Sequence, residues 1–259
     1  MRASTPFVQS ANPLGGRGFS RYNRYRPVKF PCLILGLLTC TAVSAQQPLV
    51  LLDPARGGSE NGARVADRVD EKQATLTQAQ RIASLLRARG FAVEFTREGD
   101  TDVSNDTRAA LANSTHPLAC ILLHATGTGT GIHLYTTALH PAPADATKPA
   151  VWDEAQAPYA DRSHMLDEEL LTAFSRSKMP TFSGQTWIRP LDNMQCPAIA
   201  VEVSPQKDGT TADDNTYQGH VAEVIAGVML SWRNRVQQMT PPPPPQPAAQ
   251  PATAPKVTP

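Results

Sequence analysis

The first 45 residues contain no aspartate or glutamate, although six lysines and arginines lie among them. A basic stretch up to Lys29 precedes an apolar run at 32–43, which is short for a membrane span. Small residues at 42–45 are typical of a signal-peptidase site. We therefore predict that residues 1–45 are a cleaved export signal, so that the mature chain has no membrane span. An uncleaved membrane anchor is the alternative interpretation.

The rest of the chain lacks a cluster of basic side chains. It carries 18 basic and 23 acidic residues, a formal charge of −5. Binding to nucleic acid through phosphates requires a clustered basic face. The composition therefore argues against nucleic acid as a partner.

Two further reactive signatures are missing. No serine lies in a G-x-S-x-G turn, and the glycine-rich segment 127–131 has no following Lys-Ser/Thr, which argues against a phosphate loop. Cys120 and His124 lie about 13 Å apart along one strand face, too far for a thiolate pair.

In an oxidising compartment Cys120 and Cys196 are able to form a disulfide. Two buried free thiols are an equal alternative.

Strand and helix patterns alternate within a predicted folded unit at 47–238, and a Pro-rich tail predicted to be disordered follows at 239–259. Alternating β and α segments predict a single α/β domain with a twisted, mostly parallel or mixed sheet and helices on both faces. Ligands bind such sheets beyond the carboxyl ends of strands. Strands are predicted at 49–52, 91–96, 119–124, 132–137 and 198–203, and helices from near Ala74 to Gly90 and at 107–113, 166–174 and 221–230.

Four polar residues mark the strand ends and the start of the first helix: Arg56, Glu71, His124 and Glu202. Glu71 alone is also explained as a first-turn carboxylate, and a histidine at a strand end is usually a satisfied polar group. Glu202 is harder to explain structurally, because it lies within the apolar strand 198–203 and a carboxylate there is costly unless it is paired or used.

Seven segments in the same order give the chain a family resemblance. It resembles, over about residues 49–232, the zinc-dependent N-acetylmuramoyl-L-alanine amidases that cleave peptidoglycan. The matching segments are D-P-A-R-G-G-S-E-N-G-A at 53–63 (family D-P-G-H-G-G-x-D-x-G-A), E-K-x-x-x-L at 71–76, T-R-x-x-D at 96–100, Arg108 with Ala112-Asn113, I-L-L-H-A at 121–125 (family S-I-H-A), G-x-x-x-Y at 131–135, and P-A-I-A-V-E at 197–202 (family P-A-x-L-V-E).

The resemblance implies a zinc hydrolase site with one ligand replaced. In the family, the G-H-G-G histidine, the E-K glutamate and the S-I-H histidine hold zinc, and the P-A-x-L-V-E glutamate is the acid/base. Three such ligands leave the fourth position open for water. Carried over, Glu71 and His124 are metal ligands and Glu202 is the catalytic acid/base. The third ligand position is occupied by Arg56, which has no lone pair to donate.

We therefore expect an Arg56–Glu71 ion pair in which the guanidinium replaces the metal as counter-charge. Three hypotheses follow. The domain is zinc-free and inactive but binds glycan or peptide; or zinc is held by a rearranged set, with His133 placed opposite His124 by a hairpin near residues 128–129; or Arg56 is a single-residue change in an active lineage.

The resemblance also implies the setting of the protein. Its expected partner is peptidoglycan, and its expected location is the periplasm or cell wall of a bacterium. The implied cofactor is Zn²⁺ for an active amidase and none for an inactive domain.

Overall fold

The structure is a computed structural model that describes residues 47–143, 151–207 and 209–239. The predicted signal peptide lies outside these residues, as does the predicted Pro-rich tail except Met239, which ends the last helix. Within the described ranges, no helix is both long and apolar enough to cross a membrane.

The domain contains eight strands and four α-helices in the described residues. In chain order they are β1 (Leu49–Pro54), β2 (Arg64–Ala66), β3 (Val69–Asp70), α1 (Glu71–Ala88), β4 (Ala92–Phe95), α2 (Asn105–Thr115), β5 (Ala119–Ala125), β6 (Ile132–Thr137), α3 (Ala160–Arg176), β7 (Thr181–Thr186), β8 (Ala198–Val203) and α4 (Asn215–Met239). Three short 3₁₀ turns lie at Trp152–Glu154, Ala157–Tyr159 and Leu191–Asn193.

Six strands form one mixed sheet in the order β4-β1-β5-β8-β6-β7. The first four pair in parallel, whereas β6 runs antiparallel to β8 and parallel to β7. Helices α1, α3 and α4 pack on one face through a large apolar cluster, and α2 with the 191–193 turn covers the other face. The predicted α/β class and its helices on both faces are confirmed.

The predicted hairpin between β5 and β6 is wrong, because β8 lies between them. Residues 198–201 of β8 are apolar and fully buried, and such a strand is stable at the centre of a sheet rather than at its edge.

Three other details differ from the sequence prediction. Helix α1 begins at Glu71 rather than near Ala74, with the Gln73 side chain accepting from the Asp70 N–H at 2.9 Å. Strand β7 and the short pair β2–β3 were not predicted.

The structure contains a disulfide between Cys120 and Cys196, which decides between the two cysteine alternatives. Both residues are buried in the apolar cluster under α2. The bond ties β5 to the segment that enters β8, two strands that also pair along their length.

Candidate functional site

A glycine-rich loop follows β1 and carries Arg56 at its tip. Arg56 has a φ of 65°, a left-handed conformation that costs energy in a residue with a side chain. The neighbouring Gly57 and Gly58 also have positive φ, and neither has room for a Cβ atom. At Gly57 that atom would lie 2.4 Å from the Thr101 carbonyl oxygen, and at Gly58 it would lie 2.3 Å from the Asp102 carboxylate. The loop therefore packs directly on the segment after β4.

Two buried arginines hold the backbone of this loop. Arg97 donates to the carbonyl oxygens of residues 54 and 55 at 2.9 and 2.8 Å, and Arg108 donates to those of residues 54 and 56 at 3.0 and 2.8 Å. Arg108 also forms an ion pair with Asp53. Because both guanidinium groups are almost fully buried, their donors require these partners. They set the shape of the loop.

Two aspartates hold the outer part of the loop. The Gly58 N–H donates to Asp100 at 2.8 Å, and Ser59 donates to Asp102 through its N–H at 2.9 Å and its hydroxyl at 2.8 Å. Lys72 links the same loop to α1, since its Nζ donates to the Gly58 carbonyl oxygen at 2.7 Å and pairs with Asp100 at 2.9 Å. Lys72 and Asp100 both belong to segments that carried the resemblance, and the structure shows what they do.

Glu71 is buried at the centre of the site and accepts three hydrogen bonds. Its Oε2 accepts from Arg56 Nε at 3.1 Å and from the Ala63 N–H at 3.1 Å, and its Oε1 lies 2.9 Å from His124 Nδ1. Burial raises the pKa of Glu71, but His124, the Ala63 N–H and Arg56 together bring this pKa below its ordinary value. A carboxylate only accepts, so His124 Nδ1 is the donor. The predicted Arg56–Glu71 ion pair is confirmed.

A row of four side chains crosses the sheet beside this cluster. His124 on β5 is in register with Glu202 on β8, Glu202 with His133 on β6, and His133 with Phe182 on β7. Residues paired in this way point to the same face of a sheet, here the face that α2 covers further down. Glu202 is partly exposed at the centre of the row.

His133 lies opposite Glu202 rather than opposite His124, which corrects the prediction. Two strand spacings, roughly 9–10 Å, separate the backbones of the two histidines. The His133 ring stacks on Phe182 with centroids 5.0 Å apart. Phe182 is 54% exposed, so much of its side chain is open to solvent. His133 is therefore part of an aromatic surface and not a neighbour of Glu71.

An open cleft of about 450 Å³ lies against this cluster, and we call it the Arg56 cleft. Its lining includes Arg56, Glu60, His124 and residues 188–190. Arg189 pairs with Asp153 at 2.7 Å and keeps 58% of its side chain exposed. A larger groove of about 760 Å³ lies between α3 and α4 and contains none of the predicted site residues.

The side chains do not fit a zinc site with three protein ligands. Across the described ranges, no three histidine, cysteine, aspartate or glutamate residues lie close enough together to hold a metal ion. Arg56, which the resemblance aligns with the third ligand, donates to Glu71, and both Glu71 oxygens already accept from nitrogen donors. The Arg56 guanidinium supplies the positive charge that balances this carboxylate, and it has no lone pair with which to bind a metal ion.

Sequence reasoning missed two parts of the site. The segment of Arg97 carried the resemblance, but nothing in it indicated that this arginine holds the loop. Phe182 and Arg189 carried no usable signal, because each is a single residue in a stretch whose position depends on the sheet order.

Comparisons with known proteins agree with this architecture. A family model described as N-acetylmuramoyl-L-alanine amidase (Amidase_3) matches residues 50–230. The solved structure of the amidase AmiC2 of Nostoc punctiforme superposes with a TM-score of 0.58 at 22% identity, covering 73% of this chain and 98% of that one. An amidase from Clostridium difficile 630 superposes with a TM-score of 0.56 at 21% identity, covering 73% and 97%. At these identities the two structures show the fold alone.

Similar curated proteins match a shorter stretch. The amidase AmiA of Salmonella typhimurium is 31% identical over 87 residues, 34% of this chain and 30% of that protein. The probable cell wall amidase LytH of Staphylococcus saprophyticus is 41% identical over 61 residues, 23% and 21% of the two chains. This chain thus spans less than a third of the length of these relatives. The family match covers most of the chain, and the protein belongs to the N-acetylmuramoyl-L-alanine amidase family.

Proposed function

We propose that this protein is exported and binds peptidoglycan at the linkage between N-acetylmuramic acid and the stem peptide, without zinc-dependent hydrolysis. The family match supports peptidoglycan as the target. The absence of zinc-dependent hydrolysis is supported by the ion pair of Arg56 with Glu71 at 3.1 Å, because a guanidinium stands where the resemblance requires a ligand. The basic and apolar residues at 1–45 support export to the periplasm or wall.

The site offers complementary groups for such a ligand. Arg56 supplies N–H donors, and Glu202 is an acceptor for hydroxyl or amide groups at the centre of the row. The exposed Phe182 ring, stacked on His133, supplies an apolar face of the kind that packs on a sugar ring. The arginine frame keeps the loop in one shape, so the cleft is preformed and binding orders few groups.

Amidase activity is the second candidate, and one observation favours it. Glu71 and His124 lie within 2.9 Å of each other, and Glu202 is in register with His124. Two proposed ligands and the proposed acid/base therefore remain together. Zinc bound there would act as a Lewis acid on the amide carbonyl. This candidate needs Arg56 to move aside and another group to complete the site.

Substitution of Arg56 by histidine separates the two candidates. We expect the native protein to sediment with purified peptidoglycan, to hold far less than one zinc per chain and to release no dye from labelled peptidoglycan. Arg56→His restores a nitrogen ligand, so zinc binding appears or strengthens. The measurements are zinc content by mass spectrometry after dialysis, co-sedimentation and dye release.

Arg56→Gln is the matched control, because it removes the cation without adding a strong ligand. No gain of zinc in Arg56→His would mean that the site differs from a zinc site at more than this residue. Near-stoichiometric zinc in the native protein, with dye release that Glu202→Gln abolishes, would establish the second candidate. Failure to sediment with peptidoglycan would reject the proposed target.

A further inference from the structure

The guanidinium of Arg56 is only partly used by the protein. Among the described residues its Nε alone donates a hydrogen bond, to Glu71, and Nη1 reaches no closer than 4.0 Å to the exposed Glu60 carboxylate. The side chain is 44% exposed and lines the Arg56 cleft. Two terminal nitrogens therefore remain for a ligand.

The position of this guanidinium is fixed by its buried partner Glu71 and by the hydrogen-bonded backbone of Arg56. Glu71 is 4% exposed in its side chain and is held by the Ala63 N–H and His124 as well as by Arg56. The Arg56 backbone is held through its carbonyl oxygen by Arg108 at 2.8 Å. A fork of N–H donors fixed in this way binds a planar carboxylate through two parallel hydrogen bonds. A neutral amide offers a single acceptor oxygen and no charge.

Arg189 also lines the Arg56 cleft and adds a second exposed cation to it. Its partner Asp153 is 67% exposed, so this ion pair is weak and its guanidinium is available to a ligand. Arg108 and Asp53 also line the cleft but pair with each other, so the two exposed guanidinium groups favour an anionic ligand over a neutral one. Glu60 also lines the cleft and is an exposed opposing charge, with 71% of its side chain accessible.

The chemistry of the linkage offers such an anion. Hydrolysis of the amide between N-acetylmuramic acid and L-alanine adds water, leaves a carboxylate on the lactyl group of the sugar and releases the alanine amine. Intact linkages are neutral at this point, whereas peptide-free glycan carries one carboxylate for each muramic acid. A cation at the position where family members polarise the amide carbonyl matches the product better than the substrate.

We infer that the Arg56 cleft recognises the lactyl carboxylate of muramic acid whose stem peptide has been removed. This inference rests on the proposed binding to peptidoglycan and specifies its ligand. The domain then distinguishes glycan already processed by an amidase from intact wall. Phe182 does not line the cleft, but it lies in the same row as His124, three strand spacings or roughly 14 Å away, where it is able to pack on a further sugar of the glycan.

The full chain is tested with two soluble ligands that differ in one group. The first is the disaccharide of N-acetylglucosamine and N-acetylmuramic acid with its free carboxylate, and the second is the same disaccharide as the carboxamide. We expect the native protein to bind the acid at least about tenfold more tightly in calorimetric titrations, the difference of a charge-assisted bidentate pair. Stem peptide without sugar is the third ligand, and it tests whether the carboxylate comes from peptide instead.

Three variants assign the preference to Arg56. Arg56→Gln abolishes it, and Arg56→Lys retains part of it, because a lysine keeps the charge and loses the fork. Both replacements have side chains and meet the same left-handed backbone, so they are matched for strain. Arg64→Gln removes an exposed arginine outside the cleft and leaves the preference unchanged. Circular dichroism and thermal melts establish that each variant is folded.

The outcomes separate the inference from the proposed function. Equal affinity for acid and carboxamide, or an unchanged preference in Arg56→Gln, overturns the inference while peptidoglycan binding stands. Tighter binding of stem peptide alone overturns it in favour of a peptide carboxylate. Absence of binding to all three ligands and to whole peptidoglycan rejects the proposed function itself. A tenfold preference lost in Arg56→Gln supports the inference.

Discussion

Two arginines at the same loop illustrate opposite uses of one side chain. Arg108 is buried, pairs with Asp53 and donates to the backbone oxygens of residues 54 and 56. Arg56 has a side chain that is 44% exposed, that pairs with Glu71 and that makes no other hydrogen bond among the described residues. The first holds the shape of the loop and the second sets its charge. The loop is thus a rigid frame that carries one exposed cation.

The difference follows from how many donors each arginine satisfies inside the protein. A buried guanidinium must have a partner for every N–H group, and Arg108 has the Val103 carbonyl oxygen for its remaining Nε at 3.1 Å. An exposed guanidinium leaves its spare donors to water. Only the exposed arginine is able to exchange water for a ligand at small cost.

The largest effect is expected for Arg108→Gln. It leaves Asp53 buried without its counter-charge and releases two loop carbonyls, so the free energy of unfolding falls by about 3–5 kcal/mol. Urea denaturation followed by tryptophan fluorescence measures this loss. The exposed Arg64→Gln is the control and changes stability by about 0.5 kcal/mol or less. A comparable loss in both variants would remove the distinction between frame and surface.

An intermediate effect is expected for Gly62→Ala. The added Cβ would lie 2.3 Å from Glu71 Oε2 and 2.8 Å from Arg56 Cγ, at a φ of 73°. We expect a loss of about 1–3 kcal/mol in thermal or urea unfolding, together with displacement of the Arg56–Glu71 pair. Gly90→Ala is matched, because Gly90 has a φ of 81° but open space around it. Equal losses would show that strain alone matters at Gly62.

The smallest effect on stability is expected for Arg56→Gln. Glu71 keeps the Ala63 N–H and His124, and a half-exposed ion pair contributes little, so the free energy of unfolding changes by about 1 kcal/mol or less. The same urea titration measures it beside Arg108→Gln. A loss as large as that of Arg108→Gln would show that Arg56 belongs to the frame, and the comparison between the two arginines would fail.

Much of the fold was predictable from the sequence. Apolar periodicity located the main strands and helices, because each segment buries one face whatever its neighbours are. Strand order was not predictable in this way. Strand β8 lies between β5 and β6, where its apolar residues are buried on both faces. This order depends on pairing between segments that are far apart in the chain, which local periodicity does not report. Strand β7 was missed because its residues are largely polar or exposed at the sheet edge.

The sequence by itself determined that Arg56 does not ligate a metal, since a guanidinium has no lone pair in any fold. It also indicated that Glu202, a carboxylate within an apolar strand, must be paired or used. The tertiary structure decided the rest of the site. Pairing of β5, β8 and β6 places Glu202 between His124 and His133, and the loop frame brings Arg56 to Glu71. Such contacts join segments far apart in the chain, and only their packing in one sheet sets the distances between them.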